Sequence, residues 1–180
     1  MTSVTDVSQL VAFLRAINVG GHNVRMEHLR SLISGYGLSG VETFIASGNV
    51  IVDGGRRSPA DVESLLEMRL AADLGYPVGT FVRTPAELAA VVAAQPFSAA
   101  PGRYYVTFLK DAPSADVAAR LLMMRSAADD FAFVGRELHW LVREGFQTGI
   151  TDAQMVRLAP SPCTSRNIST VRKLAAKYPA

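Results

Sequence analysis

One stretch constrains the chain more than any other: Val11-Ala12-Phe13-Leu14-Arg15-Ala16-Ile17-Asn18-Val19-Gly20-Gly21. Seven of its first nine residues are apolar, with no strict alternation. A strand with one wet face alternates apolar and polar residues, so this run predicts a central strand covered on both faces. Arg15 is then the exception to be explained. A guanidinium keeps its proton and carries a fork of donors, so inside such a strand it needs a carboxylate, backbone carbonyls or a ligand.

The residues after it alternate between helical and extended periodicity. Met26, Leu29, Leu32, Ile33 and Tyr36 recur at helical spacing and predict a first helix ending near Gly37. Val41 to Ala46 and Val50 to Val52 flank the turn residues Ser47-Gly48-Asn49, which predicts a hairpin. Ser58 before Pro59 marks a helix start, and Val62, Leu65, Leu66 and Leu70 carry that helix to about Leu74. Val78 to Arg83 completes the order strand, helix, strand, strand, helix, strand, the ferredoxin-like split unit.

The pattern then begins again. Thr84-Pro85-Ala86-Glu87 outlines a capping box that opens a connecting helix, which Pro96 stops. Tyr104 to Leu109, Pro113 to Ser126, Asp130 to Val134 and Glu137 to Val142 read as strand, helix and a hairpin across Gly135-Arg136. Two helices, Thr151 to Leu158 and Ile168 to Lys177, are expected where one helix and a closing strand would finish the copy. The expectation is an α+β fold: a ferredoxin-like unit over residues 9–83, a connector over 84–102, and an incomplete second unit over 103–180 whose last helix packs back on the first.

Composition narrows the function classes. With 180 residues, 49% of them hydrophobic, the chain can bury a core, and no apolar run approaches the roughly 20 residues of a membrane span. Residues 1–8 lack a basic start and apolar stretch, so a cytoplasmic location is expected. The single Cys163 excludes an internal disulfide, His22, His28 and His139 have no ligand spacing, and neither metal nor cofactor is expected. The net charge of +2 is small, but no acid follows Asp152 while Arg157, Arg166, Arg172, Lys173 and Lys177 do.

Three separated segments resemble a bacterial family of unknown function, number 1697 in the domain-of-unknown-function series. They are Phe13 to Gly21 with Met26, Leu29 and Arg30; Ser47-Gly48-Asn49-Val50; and Thr164-Ser165-Arg166-Asn167 with Thr170-Val171 and Lys173-Leu174. Gly135-Arg136-Glu137-Leu138 is a weaker fourth. The chain departs at Ile168, where members of the family usually carry tryptophan. The resemblance implies an α+β fold with a ferredoxin-like first half, and no activity.

In such a sheet the first and third strands are antiparallel neighbours, which brings Asn18 near Asn49. Asn167 reads as the N-cap of the last helix, whose free N–H groups and dipole favour an anion beside Arg166. If the tail folds back, Arg15, Asn18, Ser47, Asn49, Arg166 and Asn167 form one donor-rich pocket. Each has a structural reading too: Arg15 as an ion pair, Ser47-Gly48-Asn49 as a turn, Asn167 as a cap. The Asp129-Asp130 pair reads as a solvated turn. No nucleophile elbow or phosphate-binding loop is present. The functional expectation is a binding module for a small anionic or nucleotide-like ligand, with a small hydrolase or transferase as the alternative class. RNA binding on sheet aromatics is a third reading.

Overall fold

The long apolar run becomes the second-from-edge strand of a four-stranded antiparallel sheet. A computed structural model describes residues 9–18, 21–45, 48–97, 100–151, 154–155 and 162–180. The chain divides into two compact units, one ending at Glu87 and one spanning Leu88–Pro179.

In the first unit the elements follow the order β1 (Gln9–Leu14), α1 (Met26–Ser34), β2 (Ser39–Thr43), β3 (Asn49–Asp53), α2 (Pro59–Leu74) and β4 (Thr80–Arg83). The strands lie in the order β2-β3-β1-β4, the ferredoxin-like arrangement expected. β1 pairs antiparallel with β3 on one side (Phe13 opposite Asn49) and with β4 on the other (Leu14 opposite Thr80). Successive side chains of a strand point to opposite faces. Leu10, Ala12, Leu14, Val50, Val52 and Val82 share a core with Leu29 and Ile33 of α1 and Val62, Leu66 and Leu70 of α2. Val11, Phe13, Ile51 and Phe81 point the other way and are fully buried as well.

Local chemistry places the ends of α2. The Ser58 hydroxyl accepts from Asp61 N–H at 3.1 Å, while Asp61 Oδ2 accepts from Ser58 N–H at the same distance, a reciprocal capping box. Gly75 closes the helix at φ 77°, a left-handed turn that glycine enters without a Cβ clash. α2 also protects the outer edge of β4. The N–H groups of Thr80 and Val82 donate to the carboxylates of Glu67 and Glu63, each at 2.9 Å, so this edge offers few free donors for pairing with another strand.

The second unit holds β5 (Gly102–Leu109), α4 (Ala115–Leu122), β6 (Asp129–Val134), β7 (Glu137–Arg143), β8 (Cys163–Asn167) and α5 (Ile168–Lys177). The connecting helix α3 (Pro85–Ala94) begins with the expected box: Thr84 N–H to Glu87 Oε2 at 2.8 Å and Glu87 N–H to Thr84 Oγ1 at 3.2 Å. Sheet order is β6-β7-β5-β8. This corrects one expectation. The sequence pattern leaves the second unit without a closing strand, yet β8 pairs antiparallel with β5 from Tyr105/Asn167 to Leu109/Cys163 and completes the same order as the first sheet. Of the helix expected at Thr151 to Leu158, Gln154 and Met155 are helical; residues 152–153 and 156–158 lie outside the described ones.

Phe131, Leu138, Trp140 and Val142 on one face of this sheet form a buried cluster with Leu121 of α4 and Met155. Asp129 and Asp130 are part of its framework rather than a solvated turn. Asp129, 2% exposed, accepts the Trp140 indole N–H at 2.9 Å. Asp130 is held between Arg143 at 2.7 Å and Arg125 at 3.0 Å. Among the described residues no helix is long and apolar enough to cross a membrane.

Phe13 has no exposed surface, so Phe13→Ala removes a ring from a closed site and should cost about 2–5 kcal/mol in denaturant unfolding. Ile168→Ala, at a helix start with some exposure, should cost less; equal losses would contradict this account of β1.

Candidate anion-binding site

Three strand ends meet at one end of the first sheet. β1 finishes at Leu14, β3 begins at Asn49 and β4 begins at Thr80. Leu14 N–H donates to Gly48 O at 2.7 Å, and Arg15 N–H donates to Gly79 O at 2.7 Å, so the chain leaving β1 is clamped from both sides.

Arg15 itself lies one residue beyond the covered strand, half-buried in the bend that follows. The expectation of a guanidinium inside the strand is therefore corrected. The strand loses both partner registers at Leu14, and the next side chain can reach water. The stem of Arg15 runs beside Gly79, whose missing side chain would stand 3.6 Å from Arg15 Cβ and 3.8 Å from Cδ. Among the described residues no hydrogen bond or ion pair reaches its guanidinium. The fully buried arginine of this unit is Arg83 on β4, which donates to Val82 O at 2.9 Å.

The other residues expected here have internal duties. Asn18, at φ 56°, accepts from Val24 N–H through Oδ1 at 2.7 Å and closes the following loop. Asn49, fully buried, is the first residue of β3 rather than a turn residue, and its amide donates to Phe44 O at 2.9 Å. Ser47 lies outside the described residues.

Backbone strain gathers at this end. Only four non-glycine residues among those described have positive φ, and three of them, Ala16 (66°), Asn18 and Ile45 (61°), lie in the two loops that meet here. Asparagine visits this region readily, whereas alanine and above all a β-branched isoleucine do so at a cost of order 1–3 kcal/mol. Gly48, at φ 72°, sits where a Cβ would come within 3.2 Å of Leu14 and Ile17. Such strain persists where surrounding structure holds it, and it concentrates at functional sites.

Arg166 and Asn167 belong to the second unit. Arg166, 9% exposed on β8, donates through Nη1 to Thr164 Oγ1 and Ser165 O, both at 2.8 Å. Burial lowers its pKa to about 10, which still leaves it charged at neutral pH. Asn167 is the N-cap of α5, as expected, and accepts from Ser169 N–H at 2.8 Å. Both side chains thus serve the β8–α5 junction.

A polar pair of this unit went unread in the sequence. Tyr104 Oη lies 2.5 Å from His139 Nδ1, and the other imidazole nitrogen is buried with no hydrogen-bond partner among the described residues. Burial drives Tyr104 up to about 12 and His139 down to about 4, so both are neutral at pH 7. Thirty-five residues separate them. Only the β5–β7 register joins them, and no local motif signals that.

Two antiparallel four-stranded sheets with the same strand order, each with helices, make this an α+β protein of two units, the first of them ferredoxin-like and carrying a strained, arginine-bearing sheet end. The chain belongs to a family described as a protein of unknown function (DUF1697), whose model matches residues 7–139. No curated protein matches it. Among solved structures, the conserved bacterial protein SP0830 from Streptococcus pneumoniae is 22% identical, with a TM-score of 0.79 over 96% of this chain and 99% of that one. At that identity the likeness is one of fold.

Two measurements test the strain at this sheet end and the burial of His139. Ile45→Gly should relieve the left-handed strain and stabilise the protein by about 1 kcal/mol, while Gly48→Ala should destabilise it by about 1–3 kcal/mol; a destabilising Ile45→Gly would show that the strain is absent. His139 also sets a pH dependence. The unfolded imidazole takes a proton below its ordinary pKa near 6.5. The folded one resists protonation to about 4. Stability should therefore fall as pH drops from about 6.5 to 4, by at most about 3 kcal/mol from this residue, with no contribution above that window. His139→Gln should flatten this slope in unfolding titrations.

Proposed function

We propose that the protein is a cytoplasmic binding module for a small anionic, nucleotide-like ligand, with Arg15 as the cationic contact. One observation carries this reading: a half-buried arginine, its backbone clamped by hydrogen bonds on both sides, whose guanidinium meets no acceptor among the described residues. Asn18 and Asn49 support it as the framework of the two loops around it. Planar guanidinium forks match phosphate and carboxylate oxygens in bidentate geometry.

Against RNA, Phe13 and Phe81 have no exposed surface on which a base could stack. The choice between binder and small hydrolase or transferase rests on turnover.

The test is thermal unfolding with inorganic phosphate and nucleoside triphosphates, on the wild type and on Arg15→Ala. At tenfold excess over Kd a ligand adds about 1.4 kcal/mol, which for a chain of this size raises Tm by roughly 3–6 °C. That rise should vanish in Arg15→Ala and survive in part in Arg15→Lys. A shift of equal size in Arg15→Ala overturns the reading. Release of product from phosphate or acyl esters, abolished by Arg15→Ala, would move the protein to the enzyme class.

A further inference from the structure

A second feature of the first unit bears on what the anionic ligand is. An open groove of about 630 Å³ runs between the start of α1 and the end of α2, lined among others by His22, Asn23, Arg25, His28, Asp73 and Tyr76. That volume falls in the range of small-molecule sites, roughly 300–1,000 Å³. We infer that this groove binds a nucleoside phosphate, with the phosphate at the α1 end and the ring against His22 and Tyr76. The inference rests on the reading of the chain as an anion-binding module and names the ligand class and its seat.

The lining is sorted by chemistry along the groove. At one end, α1 begins at Arg25 with no side chain capping its first N–H groups. Arginine is a poor cap, so those donors are left to an outside acceptor, and Arg25 and His28 add their own N–H groups beside them. Opposite them, Asp73 accepts the Tyr36 hydroxyl through Oδ2 at 2.6 Å. Its other oxygen makes no hydrogen bond among the described residues, and it suits the hydroxyls of a sugar.

The rings of His22 and Tyr76 stack at 3.7 Å between centroids and 21° between planes. Such a pair presents a flat outer face to a planar ring. The Tyr76 hydroxyl is itself buried, so this residue offers the groove its ring and not its O–H. The two histidines and Asp73 form no three-ligand metal cluster among the described residues. Their use is hydrogen bonding.

Arg15 lies within a ligand's length of this groove. Its N–H is bonded to Gly79 O, and Gly79 lies three residue steps along the chain from Tyr76, at most about 11 Å. Asn18 is bonded to Val24, which lines the groove. A chain of phosphates leaving the α1 end could extend toward the Arg15 guanidinium.

Titration calorimetry with AMP, ATP, adenosine and inorganic phosphate tests the assignment. His22, Arg25 and His28 are exposed, so His22→Ala, Arg25→Ala and His28→Ala should fold normally. AMP should bind the wild type at least about tenfold more tightly than either adenosine or phosphate. Arg25→Ala and His28→Ala should each weaken AMP about tenfold, and His22→Ala severalfold. Arg15→Ala should weaken ATP more than AMP. If nucleotides bind through Arg15 but ignore Arg25, His28 and His22, the groove assignment fails and the anion-binding reading stands. If the groove variants weaken AMP while Arg15→Ala changes neither nucleotide, the groove stands and the role of Arg15 falls. If none of the four probes binds, both fail.

Discussion

The pairing of β1 on both edges, with burial of side chains on both its faces, is the constraint on which the first unit depends. A strand in that position has no wet side, so all six of its residues must be compatible with apolar surroundings or with a backbone partner. It ends where that stops being possible. Beyond Leu14 the chain meets Gly48 on one side and Gly79 on the other, and two backbone hydrogen bonds turn it out of the sheet. The polar residues that follow are consequences of this exit.

The exit also explains why strain collects there. Leaving a central strand between two neighbours requires sharp turns in little space, and Ala16, Asn18 and Ile45 adopt left-handed conformations to make them. Close packing at Gly48 leaves no room for a side chain. Folding free energy from the core beneath, where Leu10, Ala12 and Leu14 meet α1 and α2, offsets this local cost. The same geometry leaves Arg15 half-buried, its stem beside Gly79.

The two units solve one topological problem with different polar chemistry. In the first, the edge strand β4 is protected by carboxylates of α2 that accept its N–H groups. In the second, the corresponding strand β8 runs straight into α5, with Arg166 bonded to Thr164 and Ser165 and Asn167 capping the helix. The motif Thr164-Ser165-Arg166-Asn167 is thus a strand-to-helix junction. Its residue types were visible in advance, but their extended conformation was not, because this short polar run carries little β propensity of its own.

What the sequence determined by itself was whatever is local. The caps at Ser58 and Thr84, the N-cap at Asn167, the helix from Ile168 to Lys177, the Gly135-Arg136 hairpin and the central placement of β1 all follow from spacings of a few residues. Tertiary structure alone decided the rest. β8 exists because β5 offers it an edge to pair with; Arg15 lies outside the strand because its neighbours end at Leu14; Arg83 takes the buried arginine's place. The stack of His22 on Tyr76 and the pair of Tyr104 with His139 join residues 54 and 35 positions apart. Those meetings depend on how elements pack, and periodicity, which reports one element at a time, carries no record of them.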